Sequence, residues 1–287
     1  MPAYNRADTV GATVTALRTV HDVLDVIVVD DGSADHTAAA AAAAGARVVE
    51  FARNRGKGAA VAAGVVASGA PEAYLLIDAD VGDSASLAGE LLEPVAQGQA
   101  DMAVAVLGPP SRPSGFGFVK AFAAHVVRAQ TGLTLAEPLS GQRAVRGSLL
   151  RSVELAGRFG LEIGLTLDAA ARGATISEIE VAFSHMPSGR DVRGISHRAR
   201  IGRDVYRAVV SRIGGPRTLV HMVASLGSRV RVRGRRLRAV RLPSLRHAAS
   251  RLPLARWRRR ASRLSAGLPK RLRSLRGPRR RQPSDES

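Results

Sequence analysis

Asp25-Val26-Ile27-Val28-Val29 runs without a break into Asp30-Asp31-Gly32-Ser33. Four consecutive β-branched residues with no polar alternation read as a strand buried on both faces, stopped by an acidic, glycine-containing turn. The pattern then repeats. A helix fits Ala38 to Ala44, with Gly45 where a C-terminal cap belongs. Arg47 to Phe51 reads as a second strand, Gly58 to Ser68 as a helix, and Ala73 to Ile77 as a third strand ending in Asp78-Ala79-Asp80. Leu87 to Ala96 is helical and Asp101 to Leu107 strand-like. This β-α-β-α-β-α-β rhythm predicts an α/β fold, a mostly parallel sheet flanked by helices on both faces.

Gly108 to Gly117 holds three prolines and three glycines and reads as a loop. Beyond it the rhythm loosens. A helix is expected near Phe118 to Thr131, a turn at Pro138 to Gly141, a helix over Ile163 to Arg172, a strand over Thr175 to Phe183 and a last helix over Ile195 to Ile213. Of the 287 residues 45% are hydrophobic but only 3% aromatic, so the core is expected to consist of Ala, Val, Leu and Ile. Cysteine is absent, which excludes disulfides, Cys-ligated metal sites and thiol catalysis.

The formal charge of +19 is localised. From Ser228 onward lie 21 basic and two acidic residues, whereas residues 1–227 balance 22 bases against 22 acids. The organisation expected is therefore a body in two halves, 1–107 and 108–227, and a basic tail, 228–287.

In a parallel α/β sheet ligands bind beyond the carboxyl ends of the strands. Asp30-Asp31 and Asp78-Ala79-Asp80 both fall there. Either cluster alone can be a set of helix caps. An Asp-x-Asp at the end of a buried strand also places two carboxylates where repulsion is costly, and a divalent cation relieves it. Arg53-Asn54-Arg55-Gly56-Lys57-Gly58 follows the second strand and offers cations, flexible backbone and a helix N-terminus, all suited to phosphate. It is not a Walker loop, since Gly58 rather than Ser or Thr follows Lys57. It is not the dinucleotide fingerprint either, since position 61 is Val.

Taken in order, Pro2-Ala3-Tyr4-Asn5, Val28 to Ser33, Asn54-x-Gly56-Lys57-Gly58 and Asp78-Ala79-Asp80 resemble family 2 glycosyltransferases of GT-A fold, over about residues 1–213. Pro138-Leu139-Ser140-Gly141-Gln142-Arg143-Ala144 resembles their acceptor-side loop. Gly160-Leu161-Glu162-Ile163-Gly164, with His185 further on, resembles the glucosyl-3-phosphoglycerate synthase branch; polyprenyl-phosphate sugar transferases are the other close branch. The resemblance implies a metal-dependent transfer of a hexose from a nucleotide-sugar donor to a small-molecule or polyprenyl-phosphate acceptor that is phosphorylated. It implies that Pro2, Ala3 and Tyr4 line the base pocket, Asp31 bonds the base, Lys57 lies near the nucleotide and Asp78 contacts the ribose or the metal shell. Asp80 and His185 would hold Mg2+ or Mn2+. Glu162 would hold sugar or acceptor, with Asp80 beside it in catalysis, and Ser140, Gly141 and Arg190 would meet the acceptor. A helix cap remains the plain alternative for Glu162, and a structural imidazole for His185.

Two residues depart from the family pattern: Arg6 stands where Glu or Asp usually follows Tyr-Asn, and Gly82 where the polyprenyl-phosphate branch has Gln. The rival to an enzyme is an inactive transferase-like protein tethered by its tail. In the family an apolar strand runs directly into Pro-Ala-Tyr-Asn, so a Val/Ile-rich stretch upstream of Met1 is expected. No signal peptide pattern opens the sequence, so a cytoplasmic location is expected. The tail is expected to be disordered or partly helical. Leu264, Leu268, Leu272 and Leu275 share one helical face among basic residues, interrupted by Pro269, which suits peripheral binding to an anionic membrane at the inner face of the plasma membrane. Its single aromatic, Trp257, suits nucleic acid poorly.

Overall fold

The computed structural model describes residues 1–106, 117–184 and 192–232. The expected loop over 108–117, apart from its last residue, and the tail beyond Val232 lie outside them. So do His185 and Arg190.

From Ile27 onward the first half follows the expected alternation, and a strand and a helix that the sequence reading did not include precede it. Strand β1 (Pro2–Ala3) precedes helix α1 (Val10–Leu17), β2 (Ile27–Asp30), α2 (Thr37–Ala43), β3 (Arg47–Glu50), α3 (Lys57–Ala67), β4 (Ala73–Leu76), α4 (Gly89–Ala96) and β5 (Met102–Val106). The second half adds α5 (Gly117–Thr131), β6 (Arg143–Arg146), α6 (Gly147–Ser152), α7 (Leu161–Ala171), β7 (Ile176–Glu180), α8 (Val192–Ile213) and α9 (Gly215–Val232). The final helix α9 enters the region read as tail.

The strands form two sheets. The first is parallel, in the order β1-β2-β3, with Pro2 opposite Val29 and Val29 opposite Val49. The second runs β4-β6-β5-β7, with β6 antiparallel to both neighbours and β5 parallel to β7. A cleft of about 1220 Å³ separates β2 from β4. Val26 and Ile27 line one side, Ala73 to Ile77 the other, Ala60, Val61 and Gly64 of α3 contribute to its wall, and Met1 also lines it. The Met1 ammonium donates to Ile27 O at 2.8 Å.

The core is built from small aliphatics, as the composition predicts. Val10, Val14, Val28, Ile77, Leu91 and Ala103 pack in one buried cluster, and Met102, Val104, Val145, Leu150 and Leu165 in another. Among the described residues no helix is long and apolar enough to cross a membrane.

Helices α5 and α9 meet through two histidines. His221 Nδ1 lies 3.3 Å from His125 Nε2, and the rings are 5.3 Å apart. Burial, aided by Arg128, holds His125 below its ordinary pKa. Burial likewise depresses His221, helped by His125 and then Arg217. Both rings are thus favoured as neutral in the folded state. The stabilisation is present above the unfolded value near 6.5 and is lost as pH falls below it. The melting temperature is expected to drop between pH 7.5 and 5.5, and the drop to shrink in His221→Gln; an identical drop in the variant would detach this pair from the pH response.

Candidate active site

The two acids of Asp30-Asp31 serve different loops. Asp30 turns back on its own bend, its carboxylate accepting from Ser33 N at 3.0 Å and from the Ser33 hydroxyl. Asp31 is buried and accepts from Arg55 N at 2.6 Å and Gly56 N at 2.8 Å, which fixes the basic loop after β3 against the end of β2. Asp31 N in turn donates to Ala3 O at 2.8 Å. Pro2 is half-buried, Ala3 buried and Tyr4 48% exposed, so the tyrosine is the open member of this rim. Asn5 takes a φ of +51°, accepting from Ala34 N through Oδ1 and donating its own N–H to Ser33 Oγ, both at 2.9 Å.

Lys57 opens α3, where the helix comes very close to the second half of the chain: a Cβ on Gly58 would stand 1.9 Å from Ala156 O. Its ammonium lies 2.6 Å from Asp78 Oδ1, beyond the end of β4, and 2.8 Å from Glu162 Oε1 in the first turn of α7. Gln142 Nε2 donates to Asp78 Oδ2 at 3.1 Å. Gly141 packs directly on the pair, and a Cβ there would fall 2.3 Å from Asp78 Oδ2 and 2.7 Å from Lys57 Nζ. Burial alone would depress Lys57 and is the largest single influence, but Asp78 and Glu162 together outweigh it and hold the ammonium charged, above its ordinary range. One cation thus ties two carboxylates that lie 84 positions apart in sequence.

Glu162 stands in the first turn of α7, and its carboxylate turns to Lys57. Ser140 is buried, with its hydroxyl 3.5 Å from Gln142 Oε1. The loop they sit on hangs from Arg143, which is 1% exposed. Its guanidinium donates to Ser140 O at 2.8 Å, Pro138 O at 2.9 Å and Thr166 Oγ1 at 2.8 Å, and burial pushes its pKa down to about 10. Gln142 and Arg143 had a sequence signal, since both stand in the Ser140-Gly141-Gln142-Arg143 stretch, but the sequence does not say that their side chains face the site.

Asp80 is 26% exposed in its side chain, with Arg6 Nη2 3.5 Å from its Oδ2. Among the described residues no group of three or more His, Cys, Asp or Glu could hold a metal ion. A part-exposed carboxylate such as Asp80 nevertheless fits Mg2+ or Mn2+. Mg2+ in particular is commonly held by one or two carboxylates, with substrate phosphates completing the shell.

Residues 1–121 match the glycosyl transferase family 2 pattern, the stretch that carries Pro2-Ala3-Tyr4, the basic loop and Asp78-Ala79-Asp80. Those residues form a glycosyl transferase family 2 domain. The enzyme is 28% identical over 242 residues to glucosyl-3-phosphoglycerate synthase of Mycolicibacterium paratuberculosis, covering 75% of this chain and 72% of that one. It is 24% identical over 216 residues to a dolichyl-phosphate hexose transferase of Haloferax volcanii, covering 72% and 91%. Its GT-A fold matches Mycobacterium tuberculosis glucosyl-3-phosphoglycerate synthase solved with Mn2+, UDP-glucose and phosphoglyceric acid. There the TM-score is 0.64 at 26% identity, over 74% of this chain and 78% of that one. The same synthase solved with Mg2+ and UDP matches equally, at TM-score 0.64.

Proposed function

We propose that the enzyme moves a hexose from a uridine diphosphate sugar to a phosphorylated acceptor, with Mg2+ or Mn2+ at Asp80. The observation that carries this reading is the Lys57 bridge at 2.6 and 2.8 Å, because it joins the nucleotide side of the rim, Asp78, to the acceptor side, Glu162, Gly141 and Gln142. Support for the donor and metal comes from the M. tuberculosis synthase, which binds UDP with Mg2+ and UDP-glucose with Mn2+.

On this reading Pro2, Ala3 and Tyr4 take the base. Asp31 spends two bonds on Arg55 N and Gly56 N, and its remaining lone pairs accept from the base. Lys57 holds Asp78 and Glu162 in fixed orientation, so that Asp78 accepts from the ribose and Glu162 orients the sugar or acceptor hydroxyl. Ser140 and Gly141 shape the acceptor loop, anchored from below by Arg143. Arg190 and His185, outside the described residues, are assigned to the acceptor phosphate and the metal shell. The cation, when bound, neutralises the charge that develops on the departing diphosphate.

Two acceptor classes share this chemistry: a small phosphorylated acid, as in the mycobacterial synthase, and a lipid phosphate, as in the H. volcanii transferase. UDP-, GDP- and ADP-hexoses with Mn2+ should be assayed against 3-phosphoglycerate and against a short polyprenyl phosphate. Transfer from a UDP-hexose to one of the two is expected. Transfer from none of the donors to either acceptor would overturn the reading.

A further inference from the structure

Arg6 is one of the two residues that depart from the family pattern, and its backbone is held in place by three hydrogen bonds. Its N–H donates to Thr37 Oγ1 at 2.8 Å, and its carbonyl accepts from Thr9 N at 3.1 Å and Val10 N at 2.9 Å. The helix that begins there is fastened to the Asp78-Ala79-Asp80 segment itself. Thr9 Oγ1 and Thr13 Oγ1 donate to Ala79 O at 2.9 and 3.2 Å, and Gly82 N donates to Thr13 Oγ1 at 2.9 Å. The guanidinium therefore reaches Asp80 from a fixed base, with Nη1 donating to Asn5 O at 3.1 Å and Nη2 standing 3.5 Å from Asp80 Oδ2.

Each carboxylate of the Asp-x-Asp thus has a cation of the protein's own. Lys57 holds Asp78 at 2.6 Å, with side chains 18% and 30% exposed. Arg6 holds Asp80 at the longer 3.5 Å, with side chains 46% and 26% exposed. A short, mostly buried pair persists, while a long, solvated one is weak and exchanges partners. Arg6 is permanently charged and, unlike the Asp or Glu usual at its place, repels a cation.

We propose that Arg6 is a displaceable counter-ion of Asp80 that weakens the site for a free divalent cation and couples metal entry to arrival of the donor diphosphate. The inference rests on the assignment of Asp80 as metal ligand. A cation alone must displace Arg6 and meets its repulsion. A cation arriving with a diphosphate brings the anion onto which the released guanidinium folds, since planar guanidinium pairs well with phosphate oxygens. The enzyme then takes up metal and nucleotide together rather than metal first.

The test is Mn2+ binding to the full chain, read from the free-ion electron paramagnetic resonance signal, with and without UDP. The proteins are wild type, Arg6→Gln, Asp80→Asn and the double variant. Without UDP, Arg6→Gln should bind Mn2+ about two- to fivefold tighter than wild type, the range expected from losing a solvated ion pair's competition. UDP should enhance Mn2+ binding less in Arg6→Gln than in wild type, and the Arg6 substitution should change nothing once Asp80 is Asn. Equal Mn2+ affinity of wild type and Arg6→Gln, or no measurable binding to Arg6→Gln without UDP, overturns the proposal. Mn2+ binding that survives in Asp80→Asn with UDP present overturns instead the assignment of Asp80 on which it rests.

Discussion

Lys57→Met is expected to destabilise the fold by about 3–5 kcal/mol and to abolish transfer, because breaking a largely buried ion pair leaves charge uncompensated. Met fills the space of the lysine stem but offers nothing to Asp78 Oδ1 or Glu162 Oε1, both of which lie within 2.8 Å of the same nitrogen. Two carboxylates then face each other in a site where Glu162 is only 8% exposed. One of them must bind a proton, so the variant's stability should recover as pH falls from 8 to 5. Denaturant unfolding at the two pH values reads both effects. An unfolding midpoint equal to that of the wild type at pH 8 would mean that the bridge holds nothing together. Lys57→Arg is a sharper probe, since it keeps the charge. Gly141 sits so close to Nζ that the broader guanidinium has no room, and activity should fall with a smaller loss of stability.

Asp80→Asn is expected to cost turnover at least about 10²–10³-fold, the scale of removing one preorganised electrostatic contact to the developing charge. Stability should change by less than about 0.5 kcal/mol, since the Asp80 side chain is part-exposed and its ion pair with Arg6 is long, at 3.5 Å, and partly solvated. The split between activity and stability distinguishes it from Lys57→Met. Initial rates with UDP-glucose and Mn2+, beside thermal unfolding, measure both. A rate within a factor of a few of the wild type would remove Asp80 from the chemistry.

The first half of the fold was legible because its strands are written in β-branched runs and its turns in acids and glycines. Arg47–Glu50 and Ala73–Leu76 fall inside the expected strands, and Ile27–Asp30 runs one residue past the end expected at Val29. The second half hides β6: a strand that begins and ends with arginine, Arg143 and Arg146, carries no apolar run, and the reversal it imposes on the sheet is invisible to a pattern that assumes parallel crossovers. Helix α1 was missed for a related reason, since Thr, Val and Gly11 are poor helix formers and its stability comes from packing. At the site, ordered motifs point to Asp31, Lys57, Asp78 and Glu162. What spacing could not express is that Lys57 joins Asp78 to Glu162, or that Gly141 is a glycine because Asp78 and Lys57 occupy the place of its Cβ. Those are facts of three dimensions.

The most direct measurement of metal-assisted donor binding at Asp80 is calorimetric titration of UDP into wild type and Asp80→Ala, in Mn2+ and in EDTA. Wild-type affinity should fall by at least about tenfold, or about 1.4 kcal/mol, when the metal is removed. Asp80→Ala should bind UDP weakly and equally in both. Metal-dependent UDP affinity that persists unchanged in Asp80→Ala would contradict the account.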